Sequence, residues 1–196
     1  MRERRPGDWK VDLARRHPLE NLMEAAIDRH PAFHRLASST DSMDRLDFQL
    51  VGPRERFCEL ELKAKHQRYN GWSQYGAGTS EADLFILDEL ALRKILGAGR
   101  YAFLVVNDQP SRRWVIWSVM DLVLASKQRA NRRLAIGSGQ TKAKLLLNNS
   151  DSPHHCDSID AALDVVAQLL DTIDSHWASI DGWPTNRLVP TIGAPS

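Results

Sequence analysis

The chain has 196 residues, 42% hydrophobic and 26% charged, which is enough apolar material for one buried core without disulfide staples. Lys and Arg number 26 against 25 Asp and Glu, a formal charge of +1 that excludes a uniformly basic nucleic-acid coat, an acidic tail and a polybasic membrane anchor. No window nears the roughly 18 uninterrupted apolar residues of a membrane helix, and Cys58 and Cys156 stand far apart outside any C-x-x-C pair, so a cytoplasmic protein is expected.

Near-neutrality is a sum of opposed segments. Residues 1–16 carry six Lys and Arg against three acids and read as a basic, flexible N-terminal segment. Residues 17–182 read as one domain, and 183–196, with Pro184, Pro190, Gly193 and Pro195, as an irregular tail. Within the domain, 127–144 holds Lys127, Arg129, Arg132, Arg133, Lys142 and Lys144 with no acid, whereas 151–181 holds seven Asp and neither Lys nor Arg.

In chain order, a first helix is predicted from Pro18, a tolerated first-turn residue, to about His30, before Pro31. Leu19, Leu22, Met23, Ala26 and Ile27 form its apolar stripe, with Glu20 and Glu24 one turn apart on its flank. From Asp44 the period changes to two. Leu46, Phe48 and Leu50 alternate with Asp47 and Gln49, the turn residues 51–55 follow, and 57–65 runs Phe-Cys-Glu-Leu-Glu-Leu-Lys-Ala-Lys, which together predict a β-hairpin. On its second strand Leu60, Leu62 and Ala64 face one way and Glu59, Glu61, Lys63 and Lys65 the other.

Residues 66–80 read as a loop. Ser80 and Asp83 resemble a capping box that opens a helix to about Leu96, closed by Gly97 and Gly99. Strands at 101–107 and 113–119, a short helix at 120–127, a basic loop, a strand at 143–147 and an amphipathic helix from Ser158 to about Ser179 complete the chain. This order predicts an α/β class, an α+β sandwich with a mixed central β-sheet flanked by helices.

Asp47, followed by Glu61 and Lys63 in a D…E-x-K pattern, carries the chemistry. Two carboxylates on neighbouring hairpin strands can converge on one hard cation, since Mg²⁺ takes oxygen ligands at short range and keeps several waters. Lys63 projects from the same strand face as Glu61, where an ammonium can hold a water or a phosphate oxygen. Asp44 is the fallback for Asp47, and Glu59 shares the face of Glu61. An alternating charged strand is also what an ordinary solvated β-face looks like.

From about Pro18 to Val119, in these residues and in element order, the sequence resembles the PD-(D/E)xK nuclease superfamily, the restriction-endonuclease-like fold. The resemblance implies that Asp47, Glu61 and the Leu62 carbonyl bind Mg²⁺, for which Mn²⁺ substitutes, and that Lys63 assists the attacking water. It makes Glu20 a further metal ligand, with Glu24 the alternative, although the helix dipole alone favours a glutamate in a first turn. Gln67 with Tyr69, or Gln74 with Tyr75, stand where some branches carry Gln and Tyr, at a departing spacing; Leu46-Asp47 stands where Pro-Asp is usual. The implied activity is metal-dependent endonucleolytic hydrolysis of DNA.

Contacts to DNA are expected from Lys65 and Gln67, from Trp72 and Tyr75 by stacking, and from Arg132, Arg133, Lys142 and Lys144 along the phosphate backbone. A homodimer matching duplex symmetry, or membership of a larger DNA-processing or defence complex, follows from the same reading. The alternative is a catalytically inactive subunit of the same fold that binds nucleic acid or a protein. Gly137–Lys142 does not meet the G-x-x-x-x-G-K-[ST] spacing of a phosphate loop, and His154, His155, Cys156 and His176 lack the spaced pairs of a zinc site.

Overall fold

A computed structural model describes residues 8–38, 45–69, 79–133 and 141–178; for 8–17, 37–38, 132–133, 141–142 and 176–178 it describes the backbone alone. Among these residues the order is α1 (Asp8–Arg29), β1 (His34–Ser38), β2 (Phe48–Gly52), β3 (Arg56–Lys65), β4 (Leu84–Asp88), α2 (Glu89–Ala98), β5 (Ala102–Asp108), β6 (Arg113–Ser118), α3 (Val119–Leu124), β7 (Gln128–Arg133), β8 (Thr141–Asn148), β9 (His154–Cys156) and α4 (Ile159–Ala178). Six strands form one sheet in the order β1-β2-β3-β5-β6-β9, and β4-β8-β7 form a second. The first sheet is mixed: β3 and β5 run parallel and its other pairs antiparallel, so this is the α/β sandwich with flanking helices that the element order predicts.

The hairpin pairs as the alternation requires, with Phe48 opposite Leu60 and Leu50 opposite Cys58. Its turn, Pro53–Glu55, uses left-handed backbone at Arg54 and Glu55. Gly52, at the end of β2, is needed for space: a Cβ there would stand 2.7 Å from Leu170 of α4 and 2.9 Å from Phe33. Ala102–Val106 on β5 is buried residue after residue, as expected for a strand covered on both faces. Its Val, Leu and Phe side chains each contribute roughly 1.5–3 kcal/mol relative to exposure. Asp174 ties α4 to this sheet by accepting from Arg56 at 2.9 Å and from the Tyr101 hydroxyl at 2.7 Å.

Four expectations are corrected. Helix α1 begins at Asp8, not Pro18, because a proline removes one donor from the backbone ladder without forbidding it, and the helix-forming run Leu13-Ala14-Arg15-Arg16 precedes it. The helix expected from about residue 81 is strand β4 followed by α2. A continuous apolar run suits either state, and pairing with β8, Leu87 opposite Leu145, decides for a strand. Ser80 and Asp83 do bond reciprocally, at 2.7 and 3.1 Å, but they close a turn into that strand. The basic loop contains β7, a strand whose charges hide its period and suit a sheet edge. Strands β1 and β9 are additional.

Candidate metal and phosphate site

Asp47 lies one residue before β2. Extending the β2–β3 pairing by one step beyond Phe48–Leu60 sets it beside Glu61, and its Oδ2 accepts the Leu62 backbone N–H at 2.8 Å. That bond locks the aspartate against the neighbouring strand. Glu61 and Lys63 share a face of β3. The Lys63 ammonium lies 2.5 Å from Glu61 Oε1, 3.2 Å from the Leu62 carbonyl oxygen and 3.8 Å from Asp47 Oδ2.

Two carboxylates and a carbonyl therefore converge on one point, which a cation already fills. The oxygens belong to the same three residues that the resemblance gives as metal ligands. Glu61 Oε2 is buried and accepts no hydrogen bond among the described residues, so this carboxylate keeps acceptor capacity. Two carboxylates plus a carbonyl suit Mg²⁺ or Mn²⁺, which complete their shells with water, better than Zn²⁺ with its His and Cys ligands. The residues present fit such an ion.

A second lysine, absent from the D…E-x-K pattern, approaches from α2. Lys94 Nζ lies 3.9 Å from Glu61 Oε2. Helix α2 packs on β3 and β5 through Ala91, Leu92 and Ile95, and Lys94, one turn after Ala91, borders that apolar stripe. A cation beside the buried stripe is the signal in the sequence that points to Lys94.

Other expected contributors are not gathered. Glu20 is buried on the core-facing stripe of α1 with Met23 and Ile27. Among the described residues, however, no three His, Cys, Asp or Glu side chains form a group that could hold a metal, so Glu20 does not complete a three-carboxylate set with Asp47 and Glu61. Glu24 is paired instead with Arg35 of β1, which also binds Asp28. Glu59 accepts from Gln49 at 2.8 Å.

Lys65 requires the clearest correction. It shares the face of Lys63 but is fully buried, bonded to the Ala82 carbonyl and 3.3 Å from Asp108, and no phosphate can reach it. The pairings that set Lys65 opposite Asp108, and Asp108 opposite Arg113, put the three residues in one row across β3, β5 and β6. Asn149 adds its amide to Asp108 at 3.3 Å, and Arg113 bridges to Asp83 at 2.6 Å. Burial holds the Lys65 ammonium below its usual range despite Asp108, and the Ser80 hydroxyl, helped by Arg113, holds the Asp83 carboxyl below its own.

Lys144, another expected phosphate contact, is ion-paired with Asp88 across β4 and β8. Arg132 and Lys142 are register partners on β7 and β8, and Arg133 adjoins them, but their side chains lie outside the described residues. Gln67 is exposed and Tyr69 half-buried. Trp72, Gln74, Tyr75, Asp44 and the 137–140 segment also lie outside the described residues. His155 bonds the Ser152 carbonyl at 2.8 Å and His154 lies 4.0 Å from Asp121.

No family model, no curated protein and no solved structure matches the chain. The geometry of the site itself is therefore the ground for a functional reading. Among the described residues no helix is long and apolar enough to cross a membrane.

Proposed function

We propose that the chain is a metal-dependent phosphodiesterase of the PD-(D/E)xK type that hydrolyses DNA. The observation that carries this reading is the convergence of Asp47, Glu61 and the Leu62 carbonyl on the single cationic point now held by Lys63. The order helix, three antiparallel strands, helix, and a strand parallel to β3 supports it, with one inserted strand, β4.

Asp47, Glu61 and the Leu62 carbonyl would hold Mg²⁺ or Mn²⁺, which supplies charge neutralisation for phosphate oxygens and a more acidic attacking water. The residues of the chain do the rest. Asp47, fixed by the Leu62 N–H, keeps one carboxylate in place without reorganisation. Glu61, between two ammonium groups, keeps the other. Lys63 positions the attacking water and faces the negative charge that grows on the phosphate. The water oxygen bonds to phosphorus as one of its protons leaves to solvent. The bond from phosphorus to the leaving sugar oxygen breaks, its electron pair staying on that oxygen, which takes up a proton.

The free thiols Cys58 and Cys156 suit a reducing cytoplasm, and a homodimer or a larger DNA-processing assembly would present the site to both strands of a duplex. The test is incubation of the full chain with plasmid, linear and branched DNA under Mg²⁺, Mn²⁺ or chelator. Metal-dependent cleavage that Asp47→Asn abolishes is the expected result. Binding of DNA without cleavage under any divalent cation would leave a non-catalytic nucleic-acid-binding subunit in its place.

A further inference from the structure

We propose that Lys94 is a second cationic residue of the site, holding Glu61 through Oε2 and offering its ammonium to the phosphate oxygens of the substrate. The inference rests on the phosphodiesterase reading and adds a group that the sequence motif does not contain.

Three observations carry it. The two oxygens of Glu61 face different lysines: Lys63 bonds Oε1, and Lys94 stands 3.9 Å from Oε2, a buried oxygen with no hydrogen bond among the described residues. At that distance the pairing is electrostatic, and the Lys94 ammonium makes no hydrogen bond among the described residues, so its donors remain available to an incoming acceptor. The third observation is depth. The side chains of Asp47 and Glu61 are each 3% exposed, while those of Lys63 and Lys94 are 29% and 21% exposed. An acidic floor thus lies beneath a basic rim, and a phosphate arriving from solvent meets the ammonium groups first.

Charge balance agrees. Two carboxylates and two lysines sum formally to zero, and a divalent ion bound below would bring the site to +2. That matches a phosphodiester acquiring a second negative charge as the attacking oxygen bonds to phosphorus. Without Lys94 the same site would carry only +1. Because this ammonium lies so close to the proposed metal ligands, it also opposes cation binding, so its removal has two effects of opposite sign.

The test compares wild type, Lys94→Met and Lys94→Arg in the full chain, by DNA cleavage kinetics and by Mn²⁺ affinity from electron paramagnetic resonance. Lys94→Met is expected to lower kcat by about 100-fold, the scale of losing one charge-stabilising donor, while binding Mn²⁺ several-fold more tightly and melting as wild type does. Lys94→Arg is expected to recover most of kcat. Unchanged kcat in Lys94→Met beside an active wild type would overturn the role of Lys94 alone. A joint fall of kcat, Mn²⁺ affinity and melting temperature would also overturn it, by making Lys94 a structural residue. A wild type that neither cleaves DNA nor binds Mn²⁺ would overturn the phosphodiesterase reading itself.

Discussion

Strand β3 carries two lysines on one face, and each meets a buried carboxylate, yet the two ion clusters are built for different ends. Around Lys65 the central pair is sealed: the ammonium and Asp108 are both fully buried, and Ala82, Arg113 and Asn149 add bonds from the loop before β4, from β6 and from beyond β8. Around Lys63 the acids are buried but the side chains of Lys63 and Lys94 are 29% and 21% exposed. A buried carboxylate oxygen without a hydrogen bond among the described residues occurs in both clusters, Glu61 Oε2 in one and Asp108 Oδ1 in the other. The closed cluster joins the two sheets. The open one keeps its lysine side chains in contact with solvent above buried carboxylates. A row of charges on a strand becomes a candidate site where its cations keep contact with water.

The comparison breaks most visibly at Glu61. Glu61→Gln keeps the shape of the side chain and removes the charge, so DNA cleavage should fall at least about 1000-fold, roughly 4 kcal/mol of transition-state stabilisation. Thermal melting should stay within a few degrees of wild type. A variant that cleaves normally would show that the open cluster is as structural as the closed one.

The opposite face of β3 gives a pH test. Burial, with Glu59 nearby, pushes the Cys58 thiol up from 9.0 to about 12. Between those values the unfolded chain has given up its proton and the folded chain has not, so stability is full below pH 9 and falls as pH rises. At 1.36 kcal/mol for each pH unit the loss reaches up to ~4 kcal/mol near pH 12. Urea denaturation at pH 8 and pH 10.5 should show a smaller alkaline loss in Cys58→Ala than in wild type; equal losses would refute the assignment.

Lys65→Met should cost about 3 kcal/mol in chemical denaturation, because it leaves Asp108 buried with less compensation. Lys63→Met, whose ammonium is partly solvated, should cost about 1 kcal/mol. Equal losses would remove the distinction between the clusters. The smallest effect belongs to the exposed surface: Arg29 binds Asp160 through both carboxylate oxygens, at 2.7 and 2.9 Å, but water screens the pair. Arg29→Ala should change stability by about 0.5 kcal/mol, and less in high salt.

Much of the candidate site is legible in the sequence. The alternation Leu46, Phe48, Leu50 and the turn at Gly52-Pro53 specify the hairpin, and a hairpin of that register brings Asp47 to Glu61. Residues with two valid readings were not legible. Leu84–Leu87 suits a helix as well as a strand until β8 lies beside it, and Lys94 lies outside the D…E-x-K spacing, on a helix that only packing brings to Glu61. Glu20 and Glu24 look alike on the flank of α1, but only the second meets Arg35.

The sequence by itself determined the periods: two for the hairpin that carries Asp47, Glu61 and Lys63, continuous apolarity for β5, and three to four for α4. These follow from the bonding geometry of a few neighbouring residues. Tertiary structure alone decided which charged groups keep water and which lose it, since Lys63 and Lys65 occupy equivalent places in the pattern. What separates them lies far along the chain, in Asp108, Arg113 and Asn149, and burial is a property of what packs on a residue, not of the residue itself.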